Sequence, residues 1–192
     1  AHTYILRRKR RGINPKVIEN IKAIFWKILI YSRWMLIPFY KRGTGLGERV
    51  PDFGLLDFRG RKVTLSSAFP GKAVVLWLTN LCSSCEERIP LLQKVYEKDR
   101  GRIEIIAIST LGDDREIPEM MLKNHKIDFP LLFDPHDWIG KVLKFEHPPG
   151  ACPLYNLLIL DHSGRITLKH HLSAISDDKF LEALKKVLNF EL

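Results

Sequence analysis

The sequence predicts an α/β domain, with a mixed central β-sheet flanked by helices and a helical extension at its N-terminus. Three observations predict it. Two apolar runs, Ala73–Thr79 and Arg102–Thr110, are rich in Val and Ile and have the length of strands buried on both faces. Segments of helical periodicity alternate with them. Near the C-terminus two short strand-like runs joined by a polar turn precede an amphipathic helix, so parallel and antiparallel pairing share one sheet.

The elements follow in order. Residues 1–46 read as a basic arm, an apolar helix and a linker, and residues 47–192 as the main domain. Asn14 is a helix cap with Pro15 at the first helical position, and Pro38 would end or kink the helix. From Ala23 to Tyr40 the text AIFWKILIYSRWMLIPFY is apolar almost all the way round, which calls for burial in lipid or protein. Residues 15–40 are therefore a candidate anchor for a membrane or a partner chain. Lys27 and Arg33 are costly in a full span, whereas an interfacial anchor would set the basic arm against anionic lipid. Gly43–Gly47 reads as a flexible linker.

Phe53–Asp57 and Lys62–Leu65 flank Arg59-Gly60 and read as a hairpin. A helix is expected from about Ser83 to Asp99, with Pro90 kinking it. Pro118–His125 is a further helix, Pro130–Phe133 a short strand and Trp138–Lys144 a short helix. Tyr155–Leu160 and Ile166–His170 are strands joined by Asp161–Arg165, and Asp177–Leu188 is the last helix.

Charge excludes one class of function. The formal net charge is +9. Residues 1–46 carry eleven Lys and Arg against Glu19 alone, giving +10, which leaves 20 basic against 21 acidic residues, or −1, in the remainder. The main domain is thus neutral, and with no nucleic-acid-binding motif beside the basic arm, nucleic acid is not an expected partner.

The chain has three cysteines: Cys82, Cys85 and Cys152. That is too few for a disulfide-stapled scaffold. Cys82-Ser83-Ser84-Cys85 follows a buried strand and opens a helix, where unpaired N–H groups and the positive dipole end favour a thiolate. Disulfide exchange needs one thiolate that attacks and a second thiol that resolves the mixed disulfide. Cys82 is the expected nucleophile and Cys85, one turn further, the resolving thiol. A structural disulfide or half of a zinc site is the alternative, but no second C-x-x-C or H-x-x-H completes a tetrahedral set. No cofactor and no resident metal are expected.

The stretch VVLWLTNLCSSCEERIPLL, with Pro90 five residues after Cys85, resembles the strand, C-x-x-C and helix of TlpA/ResA-type thiol–disulfide oxidoreductases of the redoxin (AhpC/TSA) superfamily. VPDFGLLDFRGRKVTLSSAFPGKAVVL, FPLLFDP and LLILDHSGRI are similar to other segments of that family, and the likeness runs from about Gly47 to Leu188. The resemblance implies a thioredoxin-like fold and protein thiols or disulfides as substrates. With the anchor, it implies a membrane-anchored protein whose redox domain is extracytoplasmic; cytoplasmic or peripheral placement is the alternative.

The chain departs from the family in three places. Leu81 stands where Trp usually precedes the first cysteine, and the Ser83-Ser84 dipeptide is unusual. In the loop expected to dock substrate (Cys152, Pro153, Tyr155), Tyr155 occupies the position of the family's cis-proline when counted back from Asp161; Pro153 fits only a loop two residues longer. Cys152 is read either as a third redox thiol or soft-metal ligand, or as a buried apolar-like cysteine, the second being favoured. His147 is read as a metal or proton partner, or as a solvated loop residue. Thr79 and Glu86 are candidates for tuning the pair, although an early acid also suits a helix N-terminus; Trp77 reads as core.

Two other functions fit part of the pattern. Thr79-x-x-Cys82 matches the end of a peroxiredoxin motif, which would make Cys82 peroxidatic, but Val75 replaces the proline of that motif. A copper-handling or non-catalytic tethered module is the other, since thiolates and imidazole suit Cu(I).

Overall fold

The computed structural model describes residues 44–145 and 147–189. The candidate anchor at residues 15–40 lies outside them. Among the described residues no helix is long and apolar enough to cross a membrane.

Strands β1 (Gly54–Leu56) and β2 (Lys62–Thr64) form the expected hairpin. Asp57 builds its turn: Oδ1 accepts the N–H groups of Arg59 and Arg61, while Oδ2 accepts the Arg61 guanidinium. Gly60 sits at φ 80°, a conformation that favours glycine. Burial alone would raise the Asp57 pKa, but these donors hold it below the usual carboxylate value.

The central sheet has the order β5-β4-β3-β6-β7. Strand β3 (Ala73–Thr79) pairs in parallel with β4 (Ile103–Ser109), and β4 in parallel with β5 (Leu131–Leu132). On its other side β3 runs antiparallel to β6 (Leu157–Leu160), which runs antiparallel to β7 (Ile166–His170). Every residue of β3 is buried, as its unbroken apolar text requires.

Side-chain alternation divides the core into two layers. Ala73, Val75 and Trp77 face one layer with Phe129, Phe180 and Leu184, under the helices α2 (Ile89–Asp99), α3 (Glu116–Asn124) and α5 (Asp177–Asn189). Val74, Leu76 and Leu78 face the other, closed by α4 (Trp138–Val142) and the entry hairpin through Phe53 and Leu65. Trp77 is wholly buried, so it is a core residue as expected.

Two expectations are corrected. The segment after the cysteines is not one kinked helix. The short helix α1 (Ser83–Glu86) stops at Glu87-Arg88, and α2 starts at Ile89 with Pro90 in its first turn. A first-turn N–H has no carbonyl to meet, so proline there costs the ladder nothing. Nor is the linker free throughout. Thr44 donates both N–H and Oγ1–H to the Leu143 carbonyl, Gly47 N–H reaches the Ile166 carbonyl, and Arg49 bridges Arg165. The first bonds tie Thr44 to the residue after α4, and the others tie Gly47 and Arg49 to β7 and the turn before it.

Candidate active site

The cysteines lie at the C-terminal end of β3. Thr79 ends the strand fully buried, and its hydroxyl accepts the Leu81 N–H at 2.9 Å. Leu81 takes φ 54°, a left-handed conformation disfavoured for a branched side chain, and buries that side chain in the core layer of Cys85. This reversal swings the chain outward so that Cys82 emerges into solvent. Cys82 is the N-cap of α1, and its carbonyl accepts the N–H groups of Cys85 and Glu86 at 2.8 Å each. Its side chain makes no capping hydrogen bond. One turn on, Cys85 is completely buried.

Cys152 closes the site from the far loop. Its Sγ stands 3.8 Å from Cys85 Sγ and accepts the Asn80 N–H at 3.3 Å. In the thiol form it donates to Asn80 Oδ1 at 2.9 Å. Asn80 also donates Nδ2–H to the Gly150 carbonyl at 3.1 Å, while its Oδ1 accepts the Cys82 N–H at 3.3 Å. One amide therefore ties the nucleophile's loop to the loop that carries Cys152.

Burial and sulfur–sulfur contact separate the two inner thiols. The hydrogen bond with Cys152, then burial, push Cys85 well above the usual thiol range. Cys152 moves the other way: the Cys85 S–H stabilises its thiolate, and the His171 ring, the Asn80 N–H and Asn156 outweigh burial. The two thiols therefore titrate as a pair rather than singly. Asn156 is fully buried, with Nδ2 at 4.0 Å from Cys85 Sγ and Oδ1 accepting the Leu172 N–H at 2.8 Å.

The predicted site residues sort as follows. Cys82 and Cys85 occupy the expected outer and inner positions. Cys152 joins them, partly buried against the same core layer with its sulfur beside that of Cys85. Pro153 is buried beside it, and every described peptide bond is trans. Tyr155 belongs to the opposite core layer, under the Lys169 ammonium 4.8 Å from its ring centroid, and so does not face the cysteines. Thr79 acts through the Leu81 turn. Glu86 is engaged with His125 Nε2 at 2.8 Å. His147 is neither a solvated loop residue nor grouped with the cysteines as a ligand: its side chain is 2% exposed and its Nε2 meets Asp137 Oδ1 at 3.0 Å. Among the described residues no group of three His, Cys, Asp or Glu side chains is placed to hold a metal ion.

Asn80, Asn156 and His171 were missed in the sequence. An asparagine two residues before a cysteine is a faint signal for Asn80; the other two carry none, because only folding brings them to the sulfurs.

The chain is similar to known proteins in sequence and fold. The chain is 30% identical over 133 residues to the thiol-disulfide oxidoreductase ResA of Bacillus subtilis (strain 168), covering 67% of this chain and 70% of that protein. It is 27% identical over 129 residues to ResA of Geobacillus thermodenitrificans (strain NG80-2), covering 66% and 69%. The thioredoxin domain of a thiol-disulfide oxidoreductase from Bacteroides vulgatus superposes with a TM-score of 0.60 at 21% identity, over 76% of this chain and 99% of that one. Residues 46–169, spanning the hairpin, the cysteine pair and the strands around it, match the AhpC/TSA family, and the chain belongs to that family.

Proposed function

We propose that this protein is a thiol–disulfide oxidoreductase that exchanges disulfides with protein thiols through Cys82 and Cys85. The observation that carries the reading is the pairing of an exposed sulfur at the start of α1 with a buried sulfur one turn behind it. Cys82 is open to a substrate, and the buried Cys85 follows one helical turn behind, placed to resolve the intermediate without competing for substrate.

In the reducing direction, the Cys82 thiolate attacks one sulfur of a substrate disulfide. The substrate S–S bond breaks, a Cys82–substrate disulfide forms, and the other substrate sulfur leaves as a thiolate that takes a proton from water. Cys85 then loses its proton and attacks Cys82 Sγ. The second substrate thiol leaves, and the chain holds a Cys82–Cys85 disulfide. The same steps reversed oxidise a dithiol.

Cys82→Ser is expected to abolish turnover in a protein-disulfide exchange assay. Cys85→Ser is expected to accumulate mixed disulfides at Cys82, visible on non-reducing gels. Full activity in Cys82→Ser would overturn the reading. We extend the proposal to a membrane tether at residues 15–40 with the redox domain extracytoplasmic. The basic arm and the apolar, Trp-rich text support it. Alkaline extraction and protease protection of intact cells test it, and release of the full chain by carbonate would refute it.

A further inference from the structure

We propose that Cys152 is a third redox thiol, which takes the disulfide over from Cys82–Cys85 by attacking Cys85, forming a Cys85–Cys152 disulfide and freeing Cys82. The proposal rests on the exchange function assigned to Cys82 and Cys85.

Three observations carry it. The first is contact. Cys85 Sγ and Cys152 Sγ are 3.8 Å apart. A disulfide bond is about 2 Å long, so closure needs a movement of about 2 Å shared between two side chains. Cys152 lies in irregular chain between α4 and β6, and Cys85 lies on a four-residue helix. Neither sulfur is locked into a long element.

The second is order. Cys85 lies one helical turn behind Cys82 on one side and 3.8 Å from the Cys152 sulfur on the other. It is the middle sulfur of the three, which is the position a relay requires.

The third is charge. Cys152 has a fixed donor, since the Asn80 N–H meets its sulfur at 3.3 Å. Once Cys85 is oxidised it has no S–H to offer, but this donor remains and favours the thiolate form of Cys152 beside an electrophilic sulfur. Thiolate attack on a disulfide sulfur needs this arrangement.

The exchange balances without an outside reagent. The Cys152 thiolate bonds to Cys85 Sγ, the Cys82–Cys85 bond breaks, and Cys82 leaves as a thiolate that solvent can protonate. The chain remains oxidised by two electrons throughout. The disulfide moves from a pair that includes the exposed Cys82 to one between the buried Cys85 and the half-buried Cys152, and the surface nucleophile is regenerated.

The test uses the full chain. Cys82→Ser is treated with diamide, denatured and exposed to N-ethylmaleimide. The expected product is a monomer that has lost the mass of two hydrogens, takes up no maleimide, and yields a linked peptide containing Cys85 and Cys152. Uptake of maleimide at both cysteines overturns the proposal. Oxidised wild type is then labelled with iodoacetamide under native conditions. Label at Cys82, with Cys85 and Cys152 joined, supports the relay. Label at Cys152 alone, with Cys82 and Cys85 joined, overturns it. The maleimide result needs no substrate, so failure of the exchange function, seen as an inactive wild type, is distinguishable from failure of the relay.

Discussion

Replacing Asn80 by Asp places a carboxylate where an amide now meets the Cys152 sulfur, and it should make the inner thiol pair harder to ionise. The relevant separation is the 2.9 Å between Asn80 Oδ1 and Cys152 Sγ. The site is partly open to water, so an effective dielectric of about 40–80 applies, and a unit charge at that distance adds roughly 1.5–3 kcal/mol against a thiolate. That corresponds to an upward shift of about 1–2 pKa units in the first ionisation of the Cys85/Cys152 pair. The substitution also removes the Nδ2–H bond to the Gly150 carbonyl. This bond is exposed, so its loss costs about 0.5 kcal/mol, at the low end for a hydrogen bond, and the fold should persist. The assay is thiolate ultraviolet absorbance against pH in a Cys82→Ser background, where only the inner pair reports. Circular dichroism confirms folding. A first ionisation that stays in place or falls, in a folded Asn80→Asp chain, would refute the electrostatic account of how Asn80 governs the pair.

Three other outcomes are expected. Pro90→Ala should change stability in urea unfolding by less than about 1 kcal/mol, because Pro90 sits in a first turn; a gain near 3 kcal/mol would mean that the proline interrupts a continuous helix. Phe180→Ala, at a wholly buried position, should cost about 3–5 kcal/mol and lower Tm, and a Tm within experimental error of wild type would contradict the described core. His147→Gln should show a pH-dependent deficit. Burial alone lowers the His147 pKa, but Asp137 and the Pro148 carbonyl raise it above the usual value. Protonated His147 therefore stabilises the fold fully below the ordinary histidine pKa of about 6.5 and loses that contribution as pH rises through its folded value. The deficit of the variant, measured by urea unfolding, should shrink from acidic to alkaline pH; one that grows would reverse the sign of the coupling.

Much of the fold is legible before folding because hydrophobic periodicity is a local quantity. β3 has the same limits in sequence and structure, and β4, β6 and β7 fall inside their expected runs. Pro90 shows where local reading stops. Proline restrictions are local, but whether the helix stops before it or bends at it depends on how α2 packs its buried Ile89, Leu92, Val95 and Tyr96. Tyr155 was misjudged for a similar reason. Counting back from Asp161 gives its place in the chain, while the packing of the turn before β6 decides which layer its ring enters, and it enters the layer opposite the cysteines.

By itself the sequence determined that one cysteine ends a buried strand's loop and that a second follows one helical turn behind. Spacing along a single helix is short-range geometry, and residue identity is enough to read it. Only the tertiary structure decided that Cys152, 67 residues from Cys85 in the chain, would touch it, with Asn80 and His171 as partners. That meeting depends on β3 lying antiparallel to β6, which carries the loop before β6 back over the start of α1. Strand pairing is a property of the whole sheet and leaves no mark in the residues around Cys152.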